Sequence, residues 1–240
     1  MWESCARTHC GNRRANNEDS VLDHPDAALW VVADGMGGHM AGDVASQAIV
    51  DALARIPAHQ DLDVLIDRVE DTLLNVNDDL RTKAREAGAG TTIGSTVVVM
   101  AAAGDVGVAL WAGDSRLYRL RAQRVELITR DHNPVSDLMD DGLVTESVVL
   151  RTDTNVVTRA IGGHANLSLD IALFDIQSDD TFLLCSDGLY REINDEEMVG
   201  LLQDTEVSNA VDQLIEACLA GEARDNVSVI VSRPDGPLGE

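Results

Sequence analysis

Four aspartates stand where apolar runs of the sequence begin or end. The runs in VVADG, LWAGDSR and LLCSDG lead to Asp34, Asp114 and Asp187, and Asp225 precedes the apolar run of RDNVSVIV. A single aspartate at a strand end usually forms a turn or caps a helix, and Asp105 in AAGDVG is an example. If the four strand ends converge, however, their carboxylates repel one another, and ionised groups near a core need a compensating charge.

A divalent metal ion is the simplest compensation, because these motifs contain no equal set of Lys or Arg. Carboxylate oxygens without Cys and with few His favour hard ions such as Mg²⁺, Mn²⁺ or Ca²⁺. None of the stretches has the acid spacing of an EF-hand loop. Two hard ions bridged by a carboxylate are a known arrangement for in-line phosphoryl displacement, so the pattern indicates phosphate chemistry.

Two neighbouring features fit this chemistry. The glycines that follow Asp34 allow the backbone to turn tightly and to bring a carbonyl close to an ion, although a flexible strand-to-helix loop explains them as well. In RRANNEDS, Arg14 lies four residues before Glu18. A guanidinium matches the geometry of a phosphate group, although a solvated polar loop also accounts for this cluster.

The composition limits the possible partners. The chain has 240 residues, 45% hydrophobic and 25% charged, as expected for one large globular domain. Lys and Arg number 18 against 42 Asp and Glu, a formal charge of −24, which argues against nucleic acid and against an anionic membrane. The sequence shows no apolar stretch near the ~20 residues that span a bilayer and no signal-peptide core, so we expect a cytoplasmic protein.

The hydrophobic pattern predicts an α+β fold. It indicates a buried strand at 28–33, helices at 41–56 and 61–86, and strands at 91–102, 106–112, 116–121 and 124–129. The short links AAGDVG and RAQR predict antiparallel hairpins, because a parallel crossover needs a dozen or more residues. Further strands are predicted at 167–176, 181–186 and 226–232, and amphipathic helices at 195–203 and 207–221. This order differs from the regular alternation of a doubly wound sheet.

Taken together, the motifs resemble those of the metal-dependent protein phosphatases, the type 2C serine/threonine phosphatases, in their compact bacterial form. The matching stretches are RRANNEDS, VVADGMGGHMAGDVAS, GTTIGSTVVV, LWAGDSRLYRLR, ITRDHNPV, NVVTRAIGG, FLLCSDGLYREI and ARDNVSVIVS. They follow the family's order over almost the whole chain. The resemblance implies a four-layer α-β-β-α sandwich of two antiparallel sheets flanked by helices. It also implies a single domain over 1–235, with a flap at about 133–163 and a tail at 236–240.

The resemblance assigns metal ligands to positions of this sequence. Asp34 matches the carboxylate that bridges two Mg²⁺ or Mn²⁺ ions, and the Gly35 carbonyl matches a further ligand. Asp187 and Asp225 match the acids that complete one ion's shell. Glu18 matches the acid that reaches the other ion through water.

Three further assignments follow from the resemblance. Asp114 and Asp187 match the site of a third, weaker metal, and Arg14 matches the arginine that binds the substrate phosphate. Eukaryotic relatives carry a histidine two residues after the bridging aspartate, where this chain has Met36. His39, three residues further on, is the candidate for the general acid.

The function implied is hydrolysis of phosphoserine and phosphothreonine in proteins by a hydroxide that bridges the metals. The expected partners are a Ser/Thr kinase and its substrates, with type VI secretion control as a candidate pathway, and the expected state is a monomer. Two alternatives stay open at this point. One is a catalytically inactive relative that binds phosphoproteins, and the other is a receiver domain or an aspartate-nucleophile phosphatase, which would need a parallel sheet.

Overall fold

The computed structural model describes residues 1–37, 41–58, 61–88, 90–140, 156–203 and 205–236. Within these residues, two antiparallel sheets pack face to face and helices cover their outer faces. The predicted four-layer α-β-β-α sandwich is therefore confirmed. In the described part of the chain, no helix is both long enough and apolar enough to cross a membrane.

The first sheet joins the two ends of the chain. Its strands are, in spatial order, β1 (Trp2–His9), β11 (Val227–Pro234), β10 (Thr181–Cys185), β7 (Arg116–Arg121) and β8 (Arg124–Leu127). The second sheet contains β2 (Asp19–His24), β3 (Leu29–Met36), β5 (Val97–Ala103), β6 (Val106–Ala112) and β9 (Asp170–Asp175), and the short β4 (Gly94–Ser95) pairs with the end of β3.

Helices lie outside each sheet. The second sheet is covered by α1 (Ala41–Leu53) and α2 (Leu62–Ala87). The first sheet is covered by α5 (Asp195–Leu202) and α6 (Val207–Ala220), with the single turn α4 (Asp187–Tyr190) directly after β10. A short 3-10 turn (Pro25–Ala27) links β2 to β3, and α3 (Pro134–Asp140) follows β8. The predicted helices at 41–56, 61–86, 195–203 and 207–221 are all present, with ends that shift by a few residues.

The sequence of β3 is apolar at successive positions because both faces of the strand are buried. Val31 packs among the helices on the outer face, whereas Trp30 and Val32 pack between the two sheets. A strand buried on both faces loses the usual alternation of apolar and polar residues. The three layers of core follow from this double burial, and they hold the strand ends in fixed positions.

The hairpin predictions are confirmed by the register. Strands β5 and β6 pair from Val97–Ala112 to Ala103–Val106, and β7 pairs with β8 through a two-residue turn. Ala122 and Gln123 in that turn have φ of 48° and 62°, the left-handed backbone that a tight hairpin of this kind needs. Between β6 and β7 the chain crosses from one sheet to the other, and Asp114 lies in this crossing.

One strand is longer than predicted. The sequence predicts that the buried strand ends at residue 33, but β3 runs to Met36. Gly35 pairs with Ser95 and Met36 with Gly94, so β4 extends the ladder past the apolar residues. Asp34 therefore lies inside a strand with a fixed backbone. The predicted flap at 133–163 falls partly on residues 141–155, which lie outside the described residues.

Helix α2 offers a matched test of the outer core. Leu73 is fully buried and its neighbour Leu74 is 38% exposed. Leu73→Ala is expected to lower the free energy of unfolding by about 2–5 kcal/mol, because it removes buried methyl groups and leaves a cavity. Leu74→Ala is expected to change it by less than about 0.5 kcal/mol. Urea unfolding followed by circular dichroism measures both, and equal losses would contradict this packing.

Candidate metal centre

A cavity of about 460 Å³ opens where strand ends of the two sheets meet. Side chains from distant parts of the sequence line it. All of the predicted site residues that the structure describes are among them: Arg14, Glu18, Asp34, Gly35, Asp114, Asp187 and Asp225. The predicted convergence of the strand-end carboxylates is therefore seen in the structure. His39, the predicted general acid, lies outside the described residues.

Asp34 is fixed by its own backbone. Its N–H donates to the Thr96 hydroxyl at 3.2 Å, and its carbonyl accepts from the Thr96 N–H at 2.8 Å and from the Ser95 hydroxyl at 3.0 Å. The carboxylate reaches the cavity but is otherwise enclosed by protein. Enclosure, followed by the negative charges of neighbouring aspartates, raises the pKa of Asp34 well above its usual value.

Asp187 follows β10 of the first sheet, Asp114 lies in the crossing between the sheets, and both are almost fully buried. Burial raises the pKa of Asp187 to about 7; the nearby Arg191 opposes the rise, and Asp114 and Asp225 add to it. Burial, followed by the charge of Asp131, also raises the pKa of Asp114. Asp187 Oδ1 is buried and has no hydrogen-bond partner among the described residues.

The N-terminal loop is tied to the site by one amide. The Asn226 side-chain carbonyl accepts from the Glu18 N–H at 2.8 Å, and its NH₂ group donates to the carbonyls of Cys10 and Asn16 at 3.1 and 2.9 Å. Asn226 therefore holds Glu18 and the loop that carries Arg14 beside β11, although more than 200 residues separate them.

Arg14 contacts a predicted metal ligand directly. Its guanidinium donates to Asp225 Oδ2 at 2.7 Å, and this hydrogen bond raises the pKa of Arg14. About half of the Arg14 side chain is exposed. The group is thus at the mouth of the cavity, where it can reach an incoming anion.

Asp19 is a site residue that the sequence analysis did not single out. It lies opposite Asp34 in the pairing of β2 and β3. Its Oδ2 accepts from the hydroxyls of Ser186 and Ser228 at 2.8 and 2.7 Å. Burial raises the pKa of Asp19 to about 6, and these two hydrogen bonds oppose the rise. Two consecutive acids in NNEDS, at the start of a strand, were the available signal.

Arg191 is the second residue that the sequence analysis missed. Its guanidinium lies 2.9 Å from Asp187 Oδ2 and 3.6 Å from Asp114 Oδ2. The signal was its spacing in DGLYR, one helical turn after Asp187. The lining still contains five carboxylates against two guanidinium groups, so the arginines compensate the charge only in part.

Glycines allow the backbones around the acids to approach closely. A Cβ on Gly35 would lie 2.1 Å from the Gly42 carbonyl oxygen and 2.5 Å from that of Glu18. A Cβ on Gly188 would lie 2.0 Å from the Asn226 carbonyl oxygen. Since real Cβ atoms do not approach this closely, both positions require glycine.

The lining residues fit a hard divalent ion. Their donors are oxygens, as Mg²⁺ and Mn²⁺ prefer, and the mutual repulsion of the carboxylates calls for a cation. In the described part of the chain, no three acidic, His or Cys side chains already close around a common point. Arg14 pairs with Asp225 and Arg191 with Asp187, so two of the acids already have a cationic neighbour within the chain.

An acidic, oxygen-lined cavity between two sheets, with an arginine at its mouth, is typical of metal-dependent hydrolases that act on phosphate esters. Residues 3–227 match the family Protein phosphatase 2C, and the chain belongs to this family. The resemblance noted in the sequence is therefore confirmed. Phosphatases of this family use Mg²⁺ or Mn²⁺.

Individual relatives agree with this assignment. The serine/threonine protein phosphatase PstP of Mycobacterium tuberculosis is 35% identical over 228 residues, which are 95% of this chain and 44% of PstP. The chain thus spans less than half of that relative. The structure of PppA, a key regulatory component of T6SS in Pseudomonas aeruginosa, has 43% identity, a TM-score of 0.89 and 97% coverage of both chains. The catalytic domain of PstP with 2 manganese ions has 34% identity and a TM-score of 0.82, over 98% of this chain and 99% of that one.

The close approach at Gly188 can be tested against a matched glycine. Gly188→Ala is expected to weaken Mn²⁺ binding at least about tenfold, roughly 1.4 kcal/mol, because the new methyl group pushes Asp187 away from Asn226 and its neighbour Asp225. Gly200→Ala, in α5 with open space around it, is expected to leave Mn²⁺ affinity unchanged. Isothermal titration calorimetry measures both, and equal affinities would contradict the role given to Gly188.

The raised pKa values predict how stability depends on pH. The pKa of Asp187 is about 7 in the folded chain, against ~3.9 when unfolded. The folded state therefore binds more protons between these values, and the metal-free protein loses stability as the pH rises through that window. Its melting temperature should be lower at pH 8 than at pH 5.5. Asp187→Asn should flatten this dependence, and a slope equal to that of the wild type would contradict the assigned pKa.

Proposed function

We propose that this chain is a metal-dependent protein phosphatase that hydrolyses phosphoserine and phosphothreonine directly, without a phosphoenzyme. The observation that carries the proposal is the convergence of Arg14 and five carboxylates on one cavity in a chain that belongs to the Protein phosphatase 2C family. Cys185 and Cys218 are buried, and burial raises the pKa of both thiols, which disfavours a cysteine nucleophile.

The proposed roles follow the geometry of the cavity. Asp34 and the Gly35 carbonyl, at the end of β3, would hold the ions together with Asp187 and Asp225, and Glu18 would complete the site from the loop that Asn226 anchors. When bound, the divalent ions supply positive charge and make a water molecule acidic enough to attack phosphorus near neutral pH. The carboxylates orient this centre, so substrate binding needs little rearrangement.

Arg14 is proposed to bind the phosphoryl oxygens of the substrate. Its side chain is about half exposed and its guanidinium is hydrogen-bonded to Asp225, so it lies next to a proposed metal ligand without being buried. A planar fork of donors neutralises the charge that develops on those oxygens. His39 is proposed as the donor of the proton that the leaving alkoxide needs.

The physiological setting is a further part of the proposal. Membership of the Protein phosphatase 2C family supports phosphorylated proteins as substrates, and the likeness to PppA, a key regulatory component of T6SS, supports a role in type VI secretion control. We propose that the chain acts there opposite a Ser/Thr kinase. We propose a monomer that acts in the cytoplasm, where the four cysteines, which are free in the structure, stay reduced. The single domain over 1–235 and the flap at 133–163, beside the cavity, complete this proposal.

Hydrolysis of a phosphothreonine peptide in the presence of Mn²⁺ tests the function. Asp187→Asn is expected to lower kcat/KM by roughly two to four orders of magnitude, because it removes a metal-ligating charge, while the fold persists. Asp179→Asn changes an exposed aspartate away from the cavity and is expected to act like the wild type. Phosphate release and melting temperature are measured for all three proteins.

Two results would contradict the proposal. Near-normal turnover of Asp187→Asn at saturating Mn²⁺ would remove Asp187 from the site. A wild-type chain that binds the phosphopeptide but releases no phosphate at any Mn²⁺ concentration would favour an inactive phosphoprotein-binding relative.

A further inference from the structure

Asp114 and Asp187 form a pair of neighbouring carboxylates within the cavity. Both are almost fully buried, with exposed fractions of 4% and 9%. Each has an oxygen within 3.6 Å of the same guanidinium nitrogen, so the two carboxylates are near neighbours and repel when both are ionised. A cation must stabilise the pair, and this structure already contains one there.

Arg191 is that cation. Its Nη2 lies 2.9 Å from Asp187 Oδ2 and 3.6 Å from Asp114 Oδ2. The Tyr190 hydroxyl donates to the same Asp114 oxygen at 3.4 Å. The two facing oxygens of the pair therefore both interact with the guanidinium, whereas Asp187 Oδ1 stays without a hydrogen-bond partner in the described part of the chain.

The position of Arg191 is set by the fold around it. Its backbone N–H donates to the Asp187 carbonyl at 3.1 Å, so the side chain reaches back over one helical turn. The preceding Tyr190 ring is covered by the Arg116 guanidinium at 3.6 Å from the ring centroid. Arg116 is itself fixed by two hydrogen bonds of 2.8 Å to Asp131. These contacts fix the segment that carries Arg191 on the side of the cavity where Asp114 and Asp187 lie.

Charge balance favours two added ions over three. Five carboxylates and two guanidinium groups line the cavity, a formal charge of −3. Two divalent ions would bring this charge to +1, and three would bring it to +3 while the third competed with Arg191 for the same oxygens. Like charges at such short distances repel strongly in a partly buried site.

We propose that Arg191 is a built-in counter-cation for Asp114 and Asp187, so that the cavity binds two divalent ions and the guanidinium occupies the place of a third. This inference rests on the proposed function, since it assumes a metal centre at Asp34. It differs from the expectation that Asp114 and Asp187 hold a third ion, and the number of bound ions decides between the two. Arg191 acts as a positioning residue: it engages Asp187 through Oδ2 and leaves Oδ1 for a metal ion.

The number of Mn²⁺ ions bound per chain tests the inference. Equilibrium dialysis followed by metal analysis, together with calorimetric titration, should give two for the wild type and three for Arg191→Ala. The third ion should bind at least tenfold more weakly than the first two. Arg7→Ala removes an exposed arginine that also pairs with an aspartate, and this control should keep two.

Asp114→Asn separates the possible outcomes further. In the wild-type background it should leave the number of bound ions at two, because Asp114 faces Arg191. In the Arg191→Ala background it should remove the third ion. If Arg191→Ala does not fold, it is replaced by Arg191→Met, which keeps the length of the side chain. The numbers of Mn²⁺ ions bound by the wild type and by Asp114→Asn still test the inference.

The failures are distinguishable. A wild-type chain that binds three Mn²⁺ ions and hydrolyses the phosphopeptide overturns the Arg191 inference alone. A count of two in the folded arginine variant overturns it as well. A wild-type chain that binds no Mn²⁺ and releases no phosphate overturns the proposed function, and the inference with it.

Discussion

The central constraint on this structure is the mutual repulsion of carboxylates, which the two sheets bring together where their strand ends meet. Five acids line the cavity, and Asp19 lies buried behind Asp34. In water such groups would separate, but here Asp34 lies in a strand buried on both faces, Asp187 and Asp225 adjoin buried strands, and Asn226 anchors Glu18. The packing of Val, Leu and Ile in three layers thus holds like charges together, and this arrangement is favourable only when cations are added. A stable apolar scaffold and an electrostatically strained site are two consequences of one fold.

Two arginines of the chain partly compensate the negative charge of the site. Arg14 comes from the N-terminal loop and holds Asp225, whereas Arg191 follows α4 and holds Asp187. Arg14 is the more exposed of the two, with about half of its side chain open to solvent against 36% for Arg191. The same type of residue therefore serves two purposes, substrate contact at the mouth and charge compensation within the wall. Neither purpose follows from the charge of −24 alone.

Much of the fold and part of the site could be predicted from the sequence. Hydrophobic spacing located α2 and the hairpins, because these depend on local periodicity and short links. Asp34, Asp187 and Asp225 could be predicted because each adjoins an apolar run. Arg191 could not, since its role depends on contacts with Asp114 across the sheets. The buried Asp19 is hydrogen-bonded by hydroxyls 167 and 209 residues away in the sequence. The pairing of β4 with the end of β3 covers only two residues, too few to show an alternation of apolar and polar residues.

The most direct test of the central claim is the melting temperature of the metal-free wild-type chain during a titration with Mn²⁺ at pH 8. If the cavity is a metal centre whose repulsion the ions relieve, each ion at one hundred times its Kd adds about 2.7 kcal/mol. For a chain of this size that corresponds to a rise of roughly 5–10 °C per ion. The account predicts a saturable rise of this order. A melting temperature that stays constant from zero to millimolar Mn²⁺ would contradict it.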